Sequence, residues 1–137
     1  MANLEMGVMG LLGLMSFAVI TFVIERYLYF ARLDLHTFDD PDDLDLMLTR
    51  HLTVIATIGA NAPYVGLLGT VIGILIAFHD IGRAGAIETS TMMLGLALAL
   101  KSTALGLVVA IPSLVFYNAL LRRIEVIKAR WRRERRG

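Results

Sequence analysis

The chain has 137 residues, of which 57% are hydrophobic, and its mean hydropathy of +0.70 is well above that of a soluble domain. It contains no cysteine, which excludes disulfides, thiolate catalysis and cysteine metal sites. The formal net charge is only +1, but eight of the thirteen Lys and Arg residues lie in residues 122–137. This tail follows an apolar stretch directly, so it suits an anionic membrane surface better than a nucleic acid.

Three apolar blocks are long enough to cross a bilayer, which takes about 20 residues per helix. They predict an all-α integral membrane protein that is a single three-span domain over residues 1–137. Its expected parts are spans at about 7–30, 52–78 and 91–121, a loop at 31–51 and a tail at 122–137. Three helices enclose little core, so we expect an oligomer.

The first block is interpreted as a transmembrane helix and not as a signal peptide. It has no basic region before it, and no small-residue cleavage site follows it. It leads instead into Glu25 and Arg26 and an aromatic cluster of Tyr27, Tyr29 and Phe30. Aromatic and basic residues are typical of a membrane interface. We therefore expect Glu25 and Arg26 at the interface and not in a pore.

Residues 33–50 carry six aspartates, which suggests a cation site at first sight. Their spacing lacks the glycine turn and the final glutamate of a calcium loop, so no metal site is predicted. Asp40 is expected to cap a helix that has Pro41 as its first residue. If that helix continued to Phe78, it would be about 57 Å long at ~1.5 Å per residue, against a hydrocarbon core of ~30 Å. The second helix is thus expected to project into water.

The second span contains the uncharged stretch Ala62–Phe78, APYVGLLGTVIGILIAF, in which one hydroxyl group, that of Thr70, lies among glycines. Glycines at helical spacing allow another helix to approach closely in a membrane. We therefore expect a packing face there, and Pro63 is expected to kink the helix. The glycines of this face are Gly66, Gly69 and Gly73.

The third span repeats this pattern, with Gly95 and Gly106 as packing glycines, Thr103 as the hydroxyl residue and Pro112 as a predicted kink. Lys101 is the ionisable residue deep in this span, where it costs ~2.5–3.5 kcal/mol. It lies about 200° around the helix from Thr103, so the two side chains point in nearly opposite directions. Two interpretations stay open: Lys101 pairs with an acidic residue of a partner or neighbouring subunit, or it snorkels to the outer interface.

The long third helix is expected to continue past the membrane into the basic tail, which is predicted to be cytoplasmic. Three spans then place the N-terminus on the outer side. No Ser-His-Asp set, HExxH motif or glycine-rich phosphate loop is present, and no acid lies at mid-membrane. Thr70 and Thr103 do not titrate near pH 7, but their hydroxyls donate and accept hydrogen bonds. They either line a wet path and orient a titrating group from another chain, or bond back to their own helix.

Two sequence runs, Ala62–Phe78 and ALALKSTALGLVVAIPSLVFYN at 97–118, resemble the MotA/TolQ/ExbB proton-channel family, with the ExbB and TolQ branches fitting best. The resemblance implies a ring-shaped homopentamer of three-span subunits in the bacterial inner membrane. It also implies a one-span partner, ExbD or TolR, whose aspartate is the proton site in the central pore. Proton motive force would then energise TonB or TolA. Thr70 and Thr103 match the pore threonines, and Pro63 and Pro112 match the motif prolines.

Two features depart from the family pattern: Leu98 stands where a glutamate is common, and the loop at 31–51 is short. The chain therefore resembles a compact form of the family. The expected function is a proton-channel and motor subunit of the ExbB type, without enzymatic activity or cofactor, and a TolQ-like subunit is the alternative. A passive membrane scaffold is a further alternative. A small secondary transporter is disfavoured by the lack of a mid-membrane carboxylate and of an inverted repeat.

Overall fold

The computed structural model describes residues 2–85 and 89–136, and these residues form four α-helices and a short 3-10 helix. Helices α1, α3 and α4 are each long and apolar enough to cross a membrane. The all-α architecture with three such helices is therefore confirmed. The elements in chain order are α1 (Ala2–Ala31), the 3-10 helix (Leu35–Thr37), α2 (Pro41–Leu48), α3 (Leu52–Ala84) and α4 (Thr89–Arg136).

Helices α3 and α4 form an antiparallel pair that makes the most extensive contact of the fold, and α1 packs against both. The direction follows from the glycines. A Cβ atom on Gly59 would meet Leu114, and one on Gly95 would meet Ala77. Positions early in α3 thus face positions late in α4. The two small-residue faces predicted from the sequence lie in this contact.

Helix α2 begins as the sequence predicts. Pro41 is its first residue, and the Asp40 carboxylate accepts a hydrogen bond of 3.0 Å from the backbone N–H of Asp42. The helix does not continue to Phe78, however, because it ends at Leu48 and α3 begins at Leu52. His51, the residue directly before α3, has a φ of 69°, a left-handed value that a continuous α-helix does not contain. Its ring stacks on Phe22 of α1 at 4.6 Å between centroids, which holds this conformation.

The other end of α3 also differs from the expected boundary. The helix continues past Phe78 to Ala84, so His79, Asp80 and Arg83 lie on the helix and not in a connection. Gly85 ends it with a φ of 71°, and its N–H donates to the carbonyl oxygen of Ile81 at 3.2 Å. Glycine adopts this left-handed conformation without a steric penalty. Of the stretch between the expected second and third spans, residues 79–90, residues 89 and 90 belong to α4 and residues 86–88 lie outside the described residues.

Neither internal proline ends its helix: α3 continues through Pro63 and α4 through Pro112. Proline has no N–H, so each removes one hydrogen bond from the helix interior. Next to Pro112, the Ser113 hydroxyl donates to the carbonyl oxygen of Val109 at 2.6 Å. The kinks expected at both positions stay predictions.

A cluster of large buried side chains, here called the α2-end core, joins α2, the start of α3 and the last third of α4. The tail of α4 is docked there: the Trp131 indole N–H donates to the Phe38 carbonyl oxygen at 3.0 Å, and Lys128 pairs with Asp45. The basic tail is therefore folded against the protein. The core residues from these three elements are Leu44, Leu48, Leu52, Ile55, Ile58, Leu120, Ile124, Ile127 and Trp131.

Candidate functional site

The middle of the α3–α4 contact is a place where two backbones touch. A Cβ atom on Gly66 would lie 2.7 Å from the carbonyl oxygen of Ser102, and one on Gly106 would lie 2.7 Å from that of Ala62. Both distances are shorter than atoms tolerate, and both obstacles are backbone atoms. Glycine is therefore required at both positions for the helices to come this close. Gly69 and Gly73 are buried in α3, and Gly95 lies near Ala77.

Thr70 and Thr103 meet at this contact. Thr70 is only 7% exposed, and its hydroxyl lies 2.8 Å from the carbonyl oxygen of Ala99 on α4, against 3.3 Å from that of Gly66 on its own helix. The shorter hydrogen bond joins α3 to α4, so the Thr70 hydroxyl binds Ala99 more strongly than it binds Gly66 of its own helix. The hydroxyls of Thr70 and Thr103 also contact each other. Because the Thr70 hydroxyl donates its one hydrogen bond to the carbonyl oxygen of Ala99, the Thr103 hydroxyl is the donor between the two threonines.

The chemistry of this pair is limited to hydrogen bonding. Neither 52–78 nor 91–121 contains an Asp or Glu residue. A threonine hydroxyl donates one hydrogen bond and accepts up to two, but it does not ionise near neutral pH. Thr103 is partly exposed, so its oxygen remains available to a group outside the α3–α4 contact. The pair can therefore orient a proton carrier, although it cannot act as one.

Ser102 is a second polar feature of this contact that the sequence did not single out. It is 4% exposed, and its hydroxyl has no hydrogen-bond partner among residues 2–85 and 89–136. The hydroxyl lies against Gly69, where a Cβ atom would collide with it. In the sequence, Ser102 lies in a row of small residues at helical spacing with Ala99 and Gly106. Its position next to Thr103, in a span with few hydroxyl groups, could have marked Ser102 as a polar residue of this contact.

Lys101 lies on a different side of α4 from the threonine pair, as the helical angle predicts. It is exposed and lines a cavity of about 320 Å³ between α1 and α4, together with Met6, Met9 and Leu98. Neither Thr70 nor Thr103 lines this cavity. Among the side chains that the structure describes, which do not include that of Glu5, Lys101 forms no ion pair.

Arg26 is buried within the protein, and its expected place at the membrane interface stays a prediction. It is 1% exposed, it pairs with Glu25 through two bonds of 2.6 Å, and it donates to the Met47 carbonyl oxygen at 2.6 Å. Its guanidinium group also lies 4.5 Å from the centre of the Tyr29 ring. A cation at this position satisfies the last carbonyls of α2 and opposes the helix dipole. Tyr29, three residues after Arg26, was the sequence signal for this burial.

These features define a class of protein: a multi-pass membrane protein whose second and third apolar helices enclose paired hydroxyl groups but no acid. The sequence pattern of the MotA/TolQ/ExbB proton channel family matches residues 41–133. The chain belongs to this family, which confirms the resemblance seen in its sequence.

Individual relatives agree with this assignment. The biopolymer transport protein ExbB of Helicobacter pylori is 51% identical over 125 residues, covering 91% of this chain and 86% of the relative. ExbB of Aquifex aeolicus is 50% identical over 121 residues, covering 88% and 82%. The Tol-Pal system protein TolQ of Pseudomonas aeruginosa is 39% identical over 84 residues, covering 61% of this chain but 36% of TolQ. The apolar helices and these relatives point to an inner-membrane multi-pass protein.

Proposed function

We propose that this chain is an ExbB-type subunit of an inner-membrane proton channel that couples proton motive force to TonB-dependent transport. The observation that carries the proposal is the contact between Thr70 and Thr103 across α3 and α4. Both residues lie in the family match at 41–133, and no acid of this chain lies in either span. Proton transfer within a membrane usually uses a carboxylate. An ExbD-like one-span partner would supply it.

The threonine pair suits both protonation states of such an acid. When the partner carboxyl group is protonated, it donates a hydrogen bond to the partly exposed Thr103 oxygen. The Thr103 hydroxyl then donates to the Thr70 oxygen, and the Thr70 hydroxyl donates to the carbonyl oxygen of Ala99. When the acid is ionised, the Thr103 hydroxyl turns outward and donates to it, and Thr70 keeps its bond of 2.8 Å to Ala99. By rotating, the Thr103 hydroxyl can accept a hydrogen bond from the protonated acid and donate one to the ionised acid.

The proposed assembly is a ring-shaped homopentamer around the partner helices, in which each proton that crosses releases ~2.3 kcal/mol per 100 mV. This energy would drive rearrangement of the partner within the ring and, through it, a TonB-like protein. The exposed apolar faces of α3 and α4, which include Leu67, Val71 and Leu107, offer surface for neighbouring subunits, the partner or lipid. No nucleic acid is part of this proposal.

The proposed orientation follows from the basic residues of the tail, which are more frequent on the cytoplasmic side of membrane proteins. The C-terminus and α2 would be cytoplasmic, and the N-terminus periplasmic. Arg122 and Arg123 are exposed at the start of the tail. They would contact anionic lipids of the inner leaflet.

The experiment replaces Thr70 or Thr103 with Val in the full chain, reconstituted in liposomes with its one-span partner. Valine keeps the shape but removes the hydroxyl group. We expect proton flux to fall strongly while the subunits and the partner still copurify. Thr21→Val is the matched control, because the Thr21 hydroxyl is exposed and donates to Phe17 of its own helix at 2.8 Å. It should leave proton flux unchanged.

Two results would contradict the proposal. If flux is unchanged in both variants, the pair has no part in the proton path. If instead the variants fail to copurify as an oligomer, the hydroxyls serve only helix packing, which is the scaffold alternative. A TolQ-like role is the second candidate, favoured by the match to TolQ of Pseudomonas aeruginosa. Copurification with a TolR-like and not an ExbD-like partner would identify it.

A further inference from the structure

A groove with two cavities lies along α1 and α4, and neither Thr70 nor Thr103 lines it. One cavity, of about 320 Å³, is lined by Met6, Met9, Leu98, Lys101 and Ser102, among others. The other, of about 340 Å³, lies further along the same two helices, between Ser16–Ile24 and Val108–Phe116. We call the two together the α1–α4 groove. Its second cavity is mostly apolar: Ser16 and Ser113 line it, but no charged residue does, and the Ser113 hydroxyl already donates to Val109.

The first cavity, at the polar end of the groove, carries two hydrogen-bond donors. Lys101 is exposed and forms no ion pair among the side chains that the structure describes, which do not include residues 2, 3, 5, 84 and 86–88. Among the same side chains, the buried Ser102 hydroxyl has no hydrogen bond. Buried polar groups are nearly always hydrogen-bonded in native proteins. A cation and a hydroxyl beside one cavity call for an acceptor, and the positive charge favours an anion.

The polar end of the groove lies toward the N-terminal ends of α1 and α4. Met6, which lines the first cavity, is also the first residue of the apolar stretch of α1. Along α4, Lys101 precedes Arg122 by about 31 Å at ~1.5 Å per residue, close to the ~30 Å thickness of the hydrocarbon core. The expected outer end of the third span, at residue 91, lies about 15 Å further out along α4, so the Lys101 side chain would have to extend toward that surface to meet a headgroup. A lysine at this level can reach a lipid phosphate.

We propose that the α1–α4 groove binds an anionic phospholipid, with its phosphate at Lys101 and Ser102 and an acyl chain along α1 and α4. From Lys101 to Phe116 the groove extends about 22 Å, more than the ~15 Å of one leaflet's hydrocarbon. Basic pockets between transmembrane helices are known to hold anionic headgroups. Gly69 and Ala99 also line this cavity and adjoin Thr70, but Thr70 and Thr103 do not line it, so the lipid would be a neighbour of the proposed proton path and not a part of it.

The experiment measures lipid contact at the groove itself. Trp131 is the single tryptophan of the chain, so Met9→Trp combined with Trp131→Phe leaves one fluorophore, which lies in the groove. The protein is placed in phosphatidylcholine nanodiscs that contain either brominated phosphatidylglycerol or brominated phosphatidylcholine at equal mole fraction. We expect the anionic lipid to bind about fivefold to tenfold more tightly, seen as stronger quenching.

In this background Lys101→Met should remove the preference and Lys101→Arg should keep it. Lys128→Met is the matched control, because Lys128 pairs with Asp45 in the α2-end core, and the preference should remain. Equal quenching by the two lipids, or a preference that survives Lys101→Met, would overturn the proposal. The proposal would also be overturned if Lys101→Met left the quenching unchanged but lost a copurifying one-span protein. That result would mean that a carboxylate of the partner protein, and not a lipid phosphate, binds at Lys101. Proton flux in the Thr70→Val variant tests the proposed function separately.

Discussion

The α2-end core and the middle of the α3–α4 contact are held together in different ways. In the α2-end core, large side chains such as Leu48, Ile55 and Leu120 are completely buried. In the middle of the contact, the buried residues are small or polar, as with Gly66 and Ser102. Burial of large apolar groups is favourable where the alternative is water, but not where the alternative is lipid. The difference therefore indicates which part of the molecule folds as a soluble protein does.

The largest expected effect comes from a leucine in the α2-end core. Leu48→Ala leaves a cavity at a fully buried site, which typically costs about 2–5 kcal/mol. The matched control is Leu14→Ala on α1, where the leucine is 65% exposed and the cost should stay within about 0.5 kcal/mol. Thermal unfolding in detergent, followed by circular dichroism and Trp131 fluorescence, measures both. Equal losses of stability in the two variants would show that burial in the α2-end core does not stabilise the protein more than exposure on α1 does.

A smaller loss is expected from Gly106→Ala in the middle of the α3–α4 contact. The new methyl group would lie 2.7 Å from the Ala62 carbonyl oxygen, so a backbone must move, at a cost of about 1–3 kcal/mol. Gly10→Ala on α1 is the control, because a Cβ atom there meets nothing within 4 Å. The same unfolding assay should show destabilisation in the first variant alone. A stable Gly106→Ala protein would mean that the helices do not need this close approach.

Features that depend on neighbouring residues in the sequence were predictable. The three long helices follow from apolar length, the start of α2 follows from Asp40 and Pro41, and the close approach of α3 and α4 follows from the spacing of glycines. Each needs only one helix and the general properties of a membrane. The placement of Lys101 away from Thr103 was predictable for the same reason, because it is fixed by the helical angle.

Features that depend on distant contacts were not predictable. The break at His51 has neither Gly nor Pro to mark it, and its conformation is held by Phe22 of another helix. The direct contact of Thr70 with Thr103 requires the register of α3 against α4, which a single sequence does not define. Docking of the tail depends on the bond from Trp131 to Phe38, residues far apart in the chain. Sequence patterns give no such pairings.

The smallest expected effect is that of Arg135→Met, and it is best measured against Arg26→Met because the two arginines make the same kinds of contact. Arg26 binds a carboxylate, a backbone carbonyl and an aromatic ring, and so does Arg135, through Asp39 and Phe38 at 2.6 Å each and the Trp131 ring at 5.0 Å. The side chain of Arg26 is 2% exposed, whereas that of Arg135 is 44% exposed. Arg26→Met leaves the last carbonyls of α2 buried without a donor, at a cost of about 1–3 kcal/mol.

In Arg135→Met the same partners are open to water, so the expected cost is at most about 1 kcal/mol, and it should disappear in high salt. Trp131 fluorescence during thermal unfolding is a suitable measure, because this ring contacts Arg135 directly and lies in the core that α2 closes. Equal costs in the two variants would mean that the contacts themselves, and not their burial, hold α2 in place. A larger loss of stability in Arg26→Met than in Arg135→Met, unchanged by salt, would show that the buried arginine holds α1 against α2. The exposed pair of Arg135 and Asp39 would then contribute less.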